Sequence, residues 1–180
     1  MYIAREVGKM KQTGRNIKRR LYAFTLLHNR LQRAKYYRGY GIHSPFVYML
    51  VRRAFMATSV ERQGEGSLYD VLLRSGIAKR RAVQLQAAFD YCKAECFSVD
   101  GKEGDFRIFT QEYPAELLAK ACRAAQCDGA TAVIMKPYAD RERQSVCQSI
   151  VECHDSTSVD NRGFLMLFNT KKLPKQHFRL

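Results

Sequence analysis

The stretch Ala130–Lys136, reading Ala-Thr-Ala-Val-Ile-Met-Lys, most constrains how this chain can fold. It is short, almost continuously apolar, preceded by Gly129 and closed by Pro137. A run of that length without polar alternation is what a strand covered on both faces requires, as in a parallel sheet. Covering both faces takes a layer of helices above and below, so the neighbouring segments must supply them.

They do. Upstream, Cys96–Asp100 reads as a short strand broken at Gly101 and Gly104, and Phe106–Thr110 as a second strand. Pro114–Cys127 carries Leu117, Leu118, Ala121, Cys122 and Ala125 at helical spacing and ends near Gly129. Downstream, Asp140 can cap a helix running to His154 with Val146, Cys147, Ile150 and Val151 inward. Thr157–Asp160, the turn Asn161-Arg162-Gly163 and Phe164–Phe168 then predict a hairpin. Strand, helix, strand, helix and hairpin in that order predict an α/β layer with an antiparallel end.

The first half reads as helical. Ser67 precedes a capped helix that Gly76 can end, and Lys79–Lys93 carries Ala82, Leu85, Phe89 and Cys92 on one face. Gly76–Arg81, between these two short helices, faintly resembles a helix-turn-helix. Before them, Gly41 permits a tight bend, Ser44 can cap free N–H groups, and Pro45 suits a first helical position. The mostly apolar face of Phe46, Val47, Leu50, Val51 and Phe55 follows, with His43 the titratable group in the turn. Residues 1–66 are thus expected to form a basic helical N-terminal extension and residues 67–180 the α/β domain.

Charge sharpens this division. The 180 residues carry a formal net charge of +14. Residues 1–62 hold 14 Lys and Arg against only Glu6 and Glu61, so almost all of the excess sits in the first third. Arg15, Lys18, Arg19, Arg20, Arg30, Arg33, Lys35 and Arg38 surround the helical period Ile17, Leu21, Phe24, Leu27 and Leu31. A one-sided field of this kind attracts RNA, DNA or anionic lipid, whereas a merely solvated helix face needs no partner. Tyr36, Tyr37 and Tyr40 among these cations either stack on bases or pack.

No run of about 18 apolar residues occurs, so no membrane span is expected. Met1–Arg20 lacks the apolar core of a secretory signal, which makes cytoplasm the expected compartment. The six cysteines then read as free, buried thiols. Cys92-x3-Cys96 and Cys122-x4-Cys127 differ from the tight Cys-x2-Cys knuckles of zinc sites, so no metal is expected. Cys153 beside His154 makes no dyad by adjacency, and neither His43, His154 nor His177 has an assignable nucleophile and orienting acid. Asp100, Asp105 and Asp160 stand at strand ends, where they serve either ligands or turns.

Two separated stretches carry a family resemblance. Gly41-Ile42-His43-Ser44-Pro45-Phe46-Val47 resembles the GIHSPFV signature of a group of bacterial class I S-adenosylmethionine-dependent methyltransferase-like proteins. The ending is similar too: strand Ala132–Met135, helix Arg141–His154, Thr157–Phe168 for a "siDl…GllfF" segment, and Leu173–Leu180 for a "KQHF-lR" tail. Together these cover about half the chain. The resemblance implies a Rossmann-like sheet. It also implies a cofactor bound on a glycine-rich turn after the first strand, with a helix next and an acid for the ribose.

Here that turn is represented by Ser98–Gly104, with Phe106–Phe109 following too soon to leave room for the helix. In the preferred alignment Asp105–Phe109 is the family's fourth strand and the first three are lost. The expectation is a shortened Rossmann-like sheet with a closing antiparallel hairpin. Its function is expected to be non-catalytic binding, to an anionic polymer such as RNA through residues 1–38, or to another protein or a second copy. In the alternative, a divergent methyltransferase holds S-adenosylmethionine at a remodelled site of Asp100, Gly101, Gly104 and Asp105.

Overall fold

The computed structural model describes residues 41–60, 66–170 and 172–180. The apolar run Ala130–Lys136 supplies β3 (Thr131–Met135), whose last four residues are all buried. Five further strands build the sheet: β1 (Phe97–Val99), β2 (Phe106–Phe109), β4 (Thr157–Asp160), β5 (Phe164–Leu167) and β6 (Gln176–Arg179). Their spatial order is β1-β2-β3-β5-β4-β6. β5 alone runs against the rest, pairing antiparallel with both β3 and β4, while β1–β2, β2–β3 and β4–β6 are parallel.

Among the described residues five α-helices flank it: α1 (Pro45–Leu50), α2 (Leu68–Arg74), α3 (Lys79–Cys92), α4 (Ala115–Cys127) and α5 (Arg141–Cys153). α1 runs on into a π-helical turn, Val51–Phe55. The whole is a mixed α/β fold with a mostly parallel sheet, consistent with the Rossmann-like arrangement expected.

Strand alternation divides the core. Phe106, Ile108, Val133, Met135, Val159, Phe164 and Met166 point to the side covered by α1, α2 and α3. Phe109, Ala132, Ile134, Leu165 and Leu167 point to α4 and α5, meeting Leu118, Cys122, Ala125, Cys147 and Ile150. A one-residue register slip would exchange these two sets, so the pattern fixes the register.

The helix starts follow the sequence signals. Ser67 Oγ accepts from Asp70 N–H at 3.3 Å, and Asp140 Oδ1 from Arg143 N–H at 2.8 Å. α2 ends at Gly76, whose φ of 73° is the left-handed geometry expected there.

Residues 41–60 belong to one compact unit with the described residues of the α/β layer. The reason is apolar: Val47, Leu50, Val51, Ala54 and Phe55 share one buried cluster with α2, α3 and the sheet. Phe55 meets Phe164 edge-on at 5.4 Å. Each such fully buried side chain is worth roughly 1.5–3 kcal/mol, so α1 belongs to the core. The basic helix predicted from the period Ile17 to Leu31 lies outside the described residues.

The tail forms a strand that periodicity did not announce. β6 is mostly exposed and adds to the sheet beside β4 with Thr157 opposite Gln176 and Asp160 opposite Arg179. Side chains of β4 and the residue before it help to hold it: Thr157 Oγ1 donates to Pro174 O at 2.8 Å, and Ser156 Oγ to Leu173 O at 3.2 Å.

Candidate functional site at the carboxyl ends of the strands

In an open parallel sheet, ligands approach the carboxyl ends of the strands. Here that edge is formed by Asp100 after β1, Thr110 after β2, Lys136 after β3, Asp160 at the end of β4, and Arg162-Gly163 before β5.

The first expected site, Ser98–Asp105, is shaped by the shortness of its connection. Parallel neighbours are usually joined by a dozen or more residues. β1 and β2 are joined by the six residues 100–105. The chain must therefore reverse at once and run back beside β1. Gly104, at φ 96°, makes this return: a Cβ there would lie 3.2 Å from the backbone carbon of Phe97. At Gly101 a Cβ would lie 2.9 Å from Ser98 Cβ. Both glycines serve the chain's contact with itself.

The two aspartates are engaged in the same loop. Asp100, at φ 54°, accepts from Thr110 N–H at 2.7 Å and from Thr110 Oγ1 at 2.6 Å, tying the carboxyl end of β1 to that of β2. Asp105 accepts from Glu95 N–H and Cys96 N–H, both at 2.9 Å, at the opposite end of β1. Burial, the largest influence on Asp105, pushes its carboxyl up, but the N–H donors of Glu95 and Cys96 and the Cys96 thiol outweigh it and hold the group below its ordinary value. The four residues expected to form one cofactor site are thus split, with Asp100 and Asp105 separated by the roughly 10 Å length of β1.

Between β2 and β3 the edge is closed by a residue that sequence reasoning passed over. Arg143, in the first turn of α5, is only 2 % exposed. Its guanidinium donates to Thr110 O at 2.6 Å, Tyr113 O at 2.9 Å and Met135 O at 3.2 Å. The planar fork fills the space beyond the two strand ends and satisfies main-chain acceptors of both. An arginine three residues after a capping aspartate reads as a solvated surface residue in sequence. Only its position over two strand ends makes it interior.

Further along, Asp160 is 3 % exposed. It accepts from the Tyr138 hydroxyl in a short hydrogen bond and from Arg162 N–H at 2.8 Å. Around Gly163 the edge turns basic. The Arg81 side chain lies on Gly163, so that any Cβ there would collide with its guanidinium. Arg81 also sits 5.5 Å from the Phe164 ring centroid and donates to Gln84 Oε1 at 2.8 Å. Lys136 N–H donates to Gly163 O at 2.8 Å, and the Lys136 ammonium to Gln111 Oε1 at 2.6 Å. Burial and then the neighbouring charges of Arg80 and Arg162 push the Arg81 guanidinium below its ordinary value.

The expected turn residues hold as a helix start. Gly41 takes φ 74°, Ser44 Oγ accepts from Val47 N–H at 3.4 Å, and Pro45 opens α1. Phe46 packs edge-on against Phe168 at 5.0 Å, and its carbonyl accepts from the Tyr91 hydroxyl at 3.1 Å. His43 is exposed and makes no hydrogen bond to another described residue. Capping and apolar docking suffice without it.

The other candidates stand apart. His154 is buried at the C-terminal end of α5, with Nε2 lacking a hydrogen-bond partner among the described residues, and desolvation pushes it below its ordinary value. It lines a cleft of about 110 Å³ between α4 and α5, near the amino ends of the strands. His177 Nδ1 pairs with Ser158 Oγ at 2.9 Å on the edge strand. All six cysteines are free, but only Cys122 and Cys147 are fully buried, while Cys96, Cys127 and Cys153 are exposed. The expectation of uniformly buried thiols fails because these three end or follow helices rather than face the core. Burial pushes Cys92 and Cys122 up to about 12 and Cys147 to about 11, so these three are poor nucleophiles.

Among the described residues no group of three or more His, Cys, Asp or Glu is placed to hold a metal ion. No helix there is long and apolar enough to cross a membrane. Arg15, Lys18, Arg19, Arg20, Arg30, Arg33, Lys35 and Arg38 lie outside the described residues. Comparison with protein families, curated proteins and solved structures returns no match.

Proposed function

We propose that this protein acts by binding, as a shortened member of the class I S-adenosylmethionine-dependent methyltransferase-like group that has dispensed with the cofactor. Its partner in this reading is an anionic polymer such as RNA, engaged through the basic residues of 1–38. One observation carries the first half: the six-residue connection between β1 and β2 leaves no room for a cofactor helix, and its two aspartates, Asp100 and Asp105, are both engaged in closing it, with Glu103 its one other acid. A cofactor turn needs glycines that approach a ligand and a carboxylate free for sugar hydroxyls. Arg143 adds to the argument by filling the adjacent strand ends.

The charge distribution carries the second half. Nearly the whole excess of +14 resides in the first 62 residues, and cations so concentrated release counterions when they meet phosphates. The test is a titration of single-stranded RNA by the full chain and by a chain with Arg15, Lys18, Arg19, Arg20, Arg30, Arg33, Lys35 and Arg38 replaced by Gln. Binding should weaken steeply with salt in the first and be largely lost in the second. Equal binding by both chains would remove the arm as the contact.

A further inference from the structure

The cleft between α4 and α5 has a floor and a rim of different chemistry. Cys122, Ile150 and Leu167 are buried and give it an apolar floor. Ala119, Arg123 and Ser149 are exposed and belong to its rim. His154 lines it as well, is only 4 % exposed, and has no hydrogen-bond partner for Nε2 among the described residues. A buried polar atom left in that state is unfavourable, and a hydrogen bond to a ligand removes the penalty. An apolar pocket with a few polar groups around it is the usual make-up of a small-molecule site.

Charge narrows the ligand. Among the described residues that line the cleft, Arg123 alone carries a fixed charge, and it makes no ion pair or hydrogen bond to another described residue. A guanidinium holds a carboxylate by two parallel N–H···O bonds. Just outside the lining, Asp155 and Lys175 act on the His154 ring with opposite signs, and Asp155 accepts from Gln126 Nε2 at 3.4 Å. Arg123 is therefore the group to which an anion is drawn.

Size narrows it further. A water takes roughly 30 Å³ and a cavity of about 150 Å³ holds benzene, so the 110 Å³ here suits about four or five heavy atoms, with one more group standing at the rim. A hydroxyl can both donate and accept, so it satisfies His154 Nε2 in either tautomer.

We infer that this cleft binds a short-chain hydroxy acid. Its hydrocarbon rests on Cys122, Ile150 and Leu167, its hydroxyl meets His154 Nε2, and its carboxylate meets Arg123. The site lies near the amino ends of the strands and is independent of the polyanion reading above.

The test titrates the isotope-labelled full chain with β-hydroxybutyrate, butyrate and n-butanol at constant ionic strength, following the backbone amide shifts. A ligand of about seven heavy atoms is expected to bind in the millimolar range. β-Hydroxybutyrate should saturate shifts in α4 and α5, while butyrate and n-butanol, each lacking one polar contact, should bind roughly five- to tenfold more weakly. Arg123→Gln should weaken β-hydroxybutyrate about tenfold. His154→Phe should abolish its preference over butyrate. Ala119→Leu, at an exposed helix position, should fill the cleft and block all three ligands; with Arg123→Gln it decides the matter if His154→Phe does not fold. Shifts that stay linear to tens of millimolar, saturation that survives Ala119→Leu, or equal binding of the three ligands would overturn the inference. So would a preference for the hydroxy acid that persists in a folded His154→Phe variant.

Discussion

Replacing Arg143 by Met is the sharpest structural perturbation available, because it removes one buried charge while nearly conserving volume. The wild-type guanidinium is 2 % exposed and donates three hydrogen bonds to carbonyls. Hydrogen bonds from a charged donor are worth about 1.5–3 kcal/mol each, less the cost of burying the charge. Thr110 O keeps a second donor, Tyr113 N–H at 3.3 Å, so its loss is the smallest of the three. With burial of the charge deducted, the expected loss is about 3–4 kcal/mol. Arg143→Lys should lose about half as much, since one ammonium cannot span three carbonyls arranged for a planar fork. Urea denaturation at neutral pH measures both, and the slope against denaturant should stay unchanged. A loss below about 1 kcal/mol for Arg143→Met would refute the view that this side chain locks the ends of β2 and β3.

Other outcomes follow from the same geometry. Asp100→Ala removes two short bonds to Thr110 and leaves a side chain at φ 54°, so it should cost about 2–3 kcal/mol in the same denaturation assay. Gly163→Ala must displace Arg81, and a double-mutant cycle with Arg81→Ala should show coupling of about 1 kcal/mol, whereas additivity would contradict the contact. His154 titrates below its ordinary value when folded, so the unfolded chain takes up its proton first. Stability relative to His154→Phe should therefore decline as pH falls below about 6.5, levelling off below the folded pKa; a flat difference would refute the assignment. A thiol reagent at neutral pH should label Cys96, Cys127 and Cys153 rapidly and spare Cys122 and Cys147 until unfolding.

Much of the fold was legible because its signals are local. Ser67 and Asp140 cap helices by their own side chains, Gly76 ends one through its backbone, and the apolar run at β3 needs nothing but its own composition. What escaped depends on residues far apart in the chain. β6 is exposed and held mainly by main-chain pairing, so Gln176–Arg179 carries no apolar alternation to read. Arg143 becomes interior only when β2 and β3 end beneath it, and Gly163 is required only because Arg81 lies on it. The candidate cofactor residues were adjacent in sequence, yet the reversal after Asp100 sends Asp105 to the other end of β1.

The claim that β1 and β2 are joined too closely to hold a cofactor is tested most directly by calorimetric titration of the full chain with S-adenosylmethionine. No saturable heat is expected at submillimolar ligand. Binding in the micromolar range, weakened by Asp100→Ala, would contradict it and restore the remodelled site.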